Sequence, residues 1–256
     1  MVISYRPGAG GALGWSLLNS LPGDGYTIMG INLPHTVLQP MEGNVQYKTE
    51  DLVPVHYFHY TGDALIVPLD SPYQTFADLV KDAKDKPSWL SFAGSATFSA
   101  NHLAHEKFNT LAGVTTTYVA YKGTGDLLPA VLGHHVTGTM SYVPLAISQK
   151  GKMRTLAVAL EKRHPALPDV PTFKELGFDW VDGAYRGVAV PRSTPVELRR
   201  RVSEMIDGLN RDPELRAKMV ENGFEMTDLT YDRIPAFLAE RSKEYAVMAK
   251  RMGLLK

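Results

Sequence analysis

The chain contains no cysteine among its 256 residues, which excludes disulfide bonds, thiolate metal sites and a cysteine nucleophile. It also has no excess charge of either sign, because 27 Lys and Arg residues are balanced by 27 Asp and Glu residues. Without a net positive field, nucleic acid and anionic membranes are not expected partners. These absences favour a small molecule as the partner.

Long apolar runs are missing as well. No stretch approaches the ~18 consecutive apolar residues that span a bilayer. Residues 1–5 lack the basic region and the apolar region of an export signal. The chain as written is therefore expected to carry neither a membrane anchor nor a leader.

Strands and helices are predicted to alternate along most of the chain, which is typical of an α/β fold. The predicted strands are 2–5, 26–31, 64–68, 90–93, 115–119, 154–160 and 187–190. Helices are predicted through residue 18, at 76–84 with Ser71 or Thr75 as its cap, and at 101–111, 126–132, 196–209, 212–222 and 231–252. The pattern predicts mostly parallel sheets flanked by helices, with an all-helical C-terminal end.

Two of the predicted strands end in proline, at Pro68 and Pro191, and each lies between blocks of α/β alternation. We expect the chain to cross there between two lobes. Lobe 1 is expected to be discontinuous, with residues 1–63 and 188–256. Lobe 2 is expected to comprise residues 64–187.

A series of short motifs follows the same order as in a known family. They are RPGAGG at 6–11, DGYT at 24–27, a glycine/serine loop at 93–99 with HLA at 102–104, YKG at 121–123, LG at 132–133, LAV at 156–158, KR at 162–163 and LPDVPT at 167–172. Together they resemble the substrate-binding proteins of tripartite tricarboxylate transporters, the Bug-type receptors. The resemblance covers nearly the whole chain.

The resemblance implies a periplasmic binding protein of the type II-like fold, with two α/β lobes joined by two crossing strands. It implies that a small organic carboxylate is held between the lobes and delivered to membrane permease subunits. It further implies a periplasmic, monomeric receptor without catalysis, cofactor or metal. Family members carry a strand-helix unit ahead of the RPGAGG motif, so this first unit is expected to be missing here.

The glycine/serine loop is the first candidate for the ligand site. It joins a predicted strand to a helix, and helix N-termini offer free N–H groups and a partial positive charge to an anion. The predicted ligand-binding residues are Gly94, Ser95, Ala96, Thr97, Ser99 and His102. The alternative is that the hydroxyl groups only cap the helix.

A second loop of the same form follows the next predicted strand. Its candidate residues are Tyr121, Lys122, Gly123 and Thr124, which offer hydroxyl, ammonium and backbone donors. The alternative is an ordinary surface turn with a solvated lysine. Tyr185 and Arg186 are a third candidate, since an aromatic ring and a cation together clamp a carboxylate. There the alternative is a surface arginine packed on a tyrosine.

Several features of the sequence also fit functions other than solute binding. A nucleotide-dependent α/β enzyme is possible because Gly8, Gly10 and Gly14 precede a helix, but their spacing is not GxGxxG. His102 and His105 with Glu106 resemble a metal site without a third ligand at a recognised spacing, and His134 and His135 offer further nitrogen ligands. A degenerate copy with a sensing role, and a scaffold built from the charged C-terminal helices, are the remaining alternatives.

Overall fold

The computed structural model describes residues 2–6, 8–251 and 253, and the chain forms two compact units. Unit 1 comprises the described residues of 1–60, 185–218 and 226–256. Unit 2 comprises residues 61–184 and 219–225. Within the described residues, no helix is long and apolar enough to cross a membrane.

The elements alternate along the chain as an α/β fold. The strands are β1 (Met29–Leu33), β2 (Val53–Pro68), β3 (Ser91–Ser95), β4 (Thr117–Tyr121), β5 (Gly138–Tyr142), β6 (Met153–Val158), β7 (Gly183–Val190) and β8 (Glu225–Thr230). The helices are α1 (Ala12–Leu17), α2 (His35–Glu42), α3 (Phe76–Asp85), α4 (Ala100–Ala112), α5 (Thr124–Leu132), α6 (Val143–Ser148), α7 (Val196–Asn210), α8 (Pro213–Glu221) and α9 (Ile234–Arg251).

Unit 2 is built around three parallel strands. β3 pairs in parallel with β4 on one side and with β5 on the other, and β2 pairs antiparallel with β5 and β6. Successive residues of β3 enter different hydrophobic clusters: Phe92 packs with α3 and α4, and Ala93 packs with α5 and α6. The sheet is therefore covered by helices on both faces, which explains why β3 is apolar at successive positions.

Unit 1 contains an antiparallel ladder. β1 pairs with β7 from Met29 opposite Ala189 to Leu33 opposite Tyr185. Its core includes Val55, Val190 and Val202, which come from β2, β7 and α7. The predicted α/β fold class is confirmed, and its parallel part lies in unit 2.

Two strands continue from one unit into the other. β2 leaves unit 1 after Tyr60, and β7 enters unit 1 at Tyr185. A Cβ atom at Gly183 would overlap the carbonyl group of Thr61, so only glycine fits this close approach. The crossings lie three residues before the expected boundaries at 64 and 188.

The segment 219–225 belongs to unit 2, although the residues on either side of it in the chain belong to unit 1. Its contacts explain this placement. The His164 ring lies with Nε2 3.0 Å from the carbonyl oxygen of Val220, and Gly223 packs against Val143 and Ile147. The residues that contact this segment are far from it in the sequence. The helical pattern around residue 220 therefore does not reveal the contacts.

Several sequence-based boundaries were wrong. Residues 2–6 form no strand and are exposed, whereas the helix expected through residue 18 is present as α1. β1 begins at Met29 rather than at residue 26, since the Tyr26 side chain is 94% exposed. β2 is much longer than the predicted 64–68, and the C-terminal end includes a strand, β8.

The capped helix after residue 75 is confirmed. Thr75 is its N-cap: the Thr75 hydroxyl accepts a hydrogen bond from the Asp78 N–H, and the Asp78 carboxylate accepts one from the Thr75 N–H. This reciprocal arrangement is the capping box, which satisfies two backbone donors at the start of α3. Ser71, the other predicted cap, lies outside the helix.

Candidate functional site

The carboxyl ends of the parallel strands in unit 2 lie side by side. The last residues of β3 and β4, Ser95 and Tyr121, are direct partners in the ladder, and α4 and α5 begin a few residues later. Both helices thus start at the same edge of the sheet. In open α/β sheets this edge is the usual place for ligands, because free N–H groups and positive helix ends point there.

The loop between β3 and α4 is held in an unusual backbone conformation. Ala96 and Phe98 have φ angles of 59° and 52°, a left-handed region that non-glycine residues rarely adopt. Two hydrogen bonds hold the loop: the Ala96 N–H donates to the Tyr121 carbonyl at 2.7 Å, and the Phe98 N–H donates to His102 Nδ1 at 3.1 Å. Strained loops held in this way are frequent at ligand sites.

Ser99 proves to be a helix cap. The residue is fully buried, and its hydroxyl accepts a hydrogen bond from the His102 N–H at 3.2 Å and donates to the Ala96 carbonyl at 3.0 Å. This is the alternative that the sequence had left open. The Ser99 hydroxyl is therefore engaged inside the loop, and a direct contact of Ser99 with a ligand stays a prediction.

The other hydroxyl groups of the loop differ in their availability. The Ser95 hydroxyl and its backbone N–H both donate to the Asn101 side-chain oxygen, so Ser95 is also engaged internally. Thr97 is exposed at the turn of the loop. Gly94 is buried, and a Cβ atom there would lie 2.7 Å from the Asn101 Cβ. Thr97 therefore carries the exposed hydroxyl of this loop.

His102 supports the loop between β3 and α4 through contacts of its ring. Its ring stacks on the Tyr118 ring at a centroid distance of 4.3 Å. Burial lowers the pKa of His102 to about 4, although the nearby Glu106 carboxylate acts in the opposite direction. The imidazole is thus neutral near pH 7, and Nδ1 accepts the Phe98 N–H, which leaves the proton on Nε2. His102 positions the loop rather than carrying charge to a ligand.

The second loop presents its polar groups more openly. Lys122 and Thr124 are exposed, whereas the Tyr121 ring packs partly into the core of unit 2. The Gly123 carbonyl accepts hydrogen bonds from the Asp126 and Leu127 N–H groups, both at 3.1 Å, and so begins α5. Lys122 supplies a cation beside the start of this helix.

Gly123 has an ordinary backbone conformation. Its φ angle of 176° is an extended conformation open to any residue. Among the described residues, no heavy atom lies within 4 Å of the position that a Cβ would take there. A small side chain at residue 123 would therefore meet open space.

The third candidate pair, Tyr185 and Arg186, lies in unit 1 on β7. The cation on the Tyr185 ring is Arg241, whose guanidinium carbon is 5.0 Å from the ring centroid and whose NH2 group donates to the tyrosine hydroxyl at 2.7 Å. Arg186 lies opposite Asn32 in the ladder. The sequence did not indicate this contact of Tyr185 with Arg241, a residue of α9.

Arg186 has two buried histidines as electrostatic neighbours. Burial, and next the Arg186 charge, lower the pKa values of His35 and His59 to about 3 each. Both imidazoles are therefore neutral near pH 7. Their positions follow from the fold, and no spacing in the sequence connects residues 35, 59 and 186.

The histidines considered as metal ligands have other partners. His105 Nδ1 lies 3.1 Å from a Glu106 oxygen, and its Nε2 lies 2.8 Å from the Thr116 hydroxyl. The exposed His134 contacts Asp70 at 3.2 Å. Tyr118, Asn101 and Asn109, which complete the network under α4, were missed because they carry no motif and meet only in the fold.

The fold is that of a periplasmic binding protein. The solved periplasmic binding protein BugD has a TM-score of 0.89 at 24% identity, with 99% of this chain and 87% of that chain covered. The R. palustris protein Rpa4515, solved with adipate, has a TM-score of 0.92 at 27% identity, with 99% of this chain and 86% of that chain covered.

Residues 1–254 match the model of the TctC family, which is described as the tripartite tricarboxylate transporter family receptor. The protein BugT of Bordetella pertussis is 26% identical over 262 residues, with 99% of this chain and 79% of BugT covered. The chain therefore belongs to the tripartite tricarboxylate transporter receptor family, which confirms the resemblance drawn from the motifs.

Proposed function

We propose that this protein is a periplasmic solute receptor that binds a small organic carboxylate and delivers it to the permease subunits of a tripartite tricarboxylate transporter. In this proposal units 1 and 2 are the two lobes of the receptor, and the protein is a monomer that catalyses no reaction. Family membership supports the receptor role, and adipate in the structure of Rpa4515 supports a carboxylate as the ligand class.

The observation that carries the proposal is the pairing of Ser95 with Tyr121 at the carboxyl ends of β3 and β4. It brings two strand-to-helix loops together, so that the starts of α4 and α5 favour an anion at one edge. Thr97 adds a hydroxyl donor, Lys122 adds a cation, and Thr124 adds a second hydroxyl. An anion at this edge gains charge-assisted hydrogen bonds without requiring a positive net charge of the protein.

The proposed ligand contacts in unit 1 are Tyr185 and Arg186. The guanidinium of Arg186 offers planar donors that match a carboxylate. The neutral His35 and His59 do not compete with Arg186 for an anion, since they carry no charge near pH 7.

Calorimetric titration tests the proposal with mono-, di- and tricarboxylic acids, adipate among them, and with the corresponding amides. The acids should bind and the amides should fail, because an amide provides no negative charge. Thr97→Ala and Lys122→Met should each weaken binding about tenfold, the effect of losing ~1.5 kcal/mol. The exposed Glu204 is the control position, and Glu204→Gln should bind as the unaltered protein does.

Two results would contradict the proposal. If an amide binds as tightly as its acid, the site does not recognise a carboxylate. If Thr97→Ala and Lys122→Met both retain full affinity, the ligand lies elsewhere. Delivery is tested separately, by measuring uptake of the bound acid in cells that carry the permease subunits with and without the receptor.

A further inference from the structure

Three side chains of unit 1 that are distant in sequence, and that are not candidate ligand residues, lie close together. His56 lies on β2, Asp207 on α7 and Asp228 on β8, and one ligand atom of each lies within 4.8 Å of the others. Among the described residues, this is the group of histidine and carboxylate side chains whose ligand atoms lie close enough together to bind one metal ion. Sequence spacing does not predict it, because the residues are up to 172 positions apart (228 − 56).

The His56 ring is the least accessible member of the group. His56 is fully buried, and its Nε2 atom has no hydrogen-bond partner among the described residues. Its other nitrogen, Nδ1, lies 3.3 Å from the Ser203 hydroxyl oxygen, which also accepts the Tyr231 N–H at 3.0 Å. A second ring contact of this kind fixes the orientation of metal-binding histidines and leaves the Nε2 lone pair free for the metal.

The Asp207 carboxylate is divided between two environments. Its Oδ2 atom lies 2.9 Å from Arg211 NH2 in an exposed ion pair. Its Oδ1 atom is buried and has no partner in the part of the chain that the structure describes. A buried carboxylate oxygen and a buried imidazole nitrogen that both lack partners lower the stability of the fold, unless a cation, a proton or a water molecule bridges them.

The Asp228 carboxylate is oriented by its neighbours. Its Oδ2 atom lies 3.2 Å from Arg216 NH1, and its Oδ1 atom accepts a hydrogen bond from Asn210 Nδ2. The same Asn210 group reaches the Phe58 carbonyl at 3.1 Å, which connects the carboxylate to β2. Hydrogen bonds of this type are typical of the outer shell that positions metal-ligating carboxylates.

We propose that His56, Asp207 and Asp228 bind one divalent transition-metal cation of the Zn²⁺ class. One neutral imidazole and two carboxylates are a ligand set that Zn²⁺ uses. Mg²⁺ and Ca²⁺ prefer oxygen ligands throughout and are expected to bind poorly.

The ion would connect three elements of unit 1. β2, α7 and β8 each provide one ligand, so the bound metal would stabilise unit 1 against unfolding in proportion to its occupancy. The ligands are not among the residues proposed to bind a carboxylate. Metal binding and carboxylate binding therefore give independent measurements, and either can fail without the other.

The experiment uses the whole chain after treatment with a chelator. Titration with ZnCl₂ should show one site per chain, and saturating Zn²⁺ should raise the melting temperature by about 3 °C or more. MgCl₂ at the same concentration should produce neither effect. His56→Ala and Asp207→Asn should each lose the site, and Asp207→Asn keeps the shape of the side chain if His56→Ala fails to fold.

The matched control is the exposed pair of His134 and Asp70, whose nitrogen and oxygen atoms are 3.2 Å apart. His134→Ala should retain both the zinc stoichiometry and the increase in melting temperature. The proposal is wrong if the unaltered protein takes up no zinc, in which case a proton or water joins His56 and Asp207. It is equally wrong if His134→Ala removes the binding, or if both Asp207→Asn and a folded His56→Ala retain it.

Discussion

Ser95 and Tyr121 face each other as the last pair of the parallel ladder between β3 and β4, and the Tyr121 carbonyl also accepts the Ala96 N–H at 2.7 Å. The second contact ties the start of one candidate loop to the end of the neighbouring strand. A change in either loop is thus transmitted to the other through the backbone. This connection explains why residues that touch no ligand are expected to influence binding.

Ser99→Ala should lower the free energy of unfolding by about 1 kcal/mol, the usual cost of losing an N-cap. It should also weaken carboxylate binding, because the Ser99 hydroxyl holds the Ala96 carbonyl and so fixes the loop. Chemical denaturation and calorimetry measure the two effects. Thr75→Ala is the control: it removes the α3 cap at a similar cost and should leave binding intact. Equal binding by both variants would show that the loop needs no support from Ser99.

Gly94→Ala should destabilise the protein by about 1–3 kcal/mol, the cost of overpacking a core position. A Cβ at residue 94 would lie 2.6 Å from the Tyr118 Cε2 atom and 2.7 Å from the Asn101 Cβ. Gly123→Ala is the matched control at the end of the neighbouring strand, where the Cβ meets open space. In thermal melts, Gly94→Ala should have a clearly lower melting temperature than Gly123→Ala. A stable Gly94→Ala protein would show that Tyr118 moves away at little cost.

Stability should decrease as the pH falls from about 7 to about 5, because three buried histidines resist protonation. The pKa values are about 3 for His35 and His59 and about 4 for His102 in the folded protein, below the ordinary 6.5. At a pH between the folded pKa values and 6.5, the unfolded chain binds more protons than the folded protein does. Lowering the pH therefore favours unfolding. Each histidine should contribute about 1–2 kcal/mol over this interval.

Urea denaturation at several pH values measures this slope for the unaltered protein and for His102→Gln. The variant should be less sensitive to acid, since one group that takes up a proton on unfolding is gone. An unchanged slope in His102→Gln would mean that His102 is protonated in the folded protein. Its stacking on Tyr118 would then be a cation–π contact.

Gly223→Ala should destabilise unit 2 although residue 223 lies in the C-terminal part of the chain. Its φ angle is 85°, and a Cβ would lie 2.8 Å from both Val143 Cγ1 and Ile147 Cδ1. Gly177→Ala isolates the backbone cost, because Gly177 has a φ of 88° and open space around its Cβ. The difference between the two melting temperatures reports the steric contact. If the variants melt alike, 219–225 is not packed on unit 2.

The sequence by itself determined the family, the α/β class and the positions of most elements. Periodicity and capping residues are local, so α3 with its Thr75 cap and the helices α4, α5 and α7 were predicted nearly to their ends. The two strand-to-helix loops were also predicted, because glycine and hydroxyl residues after a buried strand are a local signal.

Only the tertiary structure decided what the side chains in those loops do. Ser99 and His102 have the same sequence context whether they bind a ligand or hold the loop, and only the structure shows that Ser99 is buried and that His102 accepts the Phe98 N–H. Arg241 on Tyr185, the Gly223 contact and the group of His56, Asp207 and Asp228 all join distant segments. Hydrogen bonding and electrostatics depend on distance in space, which the sequence fixes only through the folded chain.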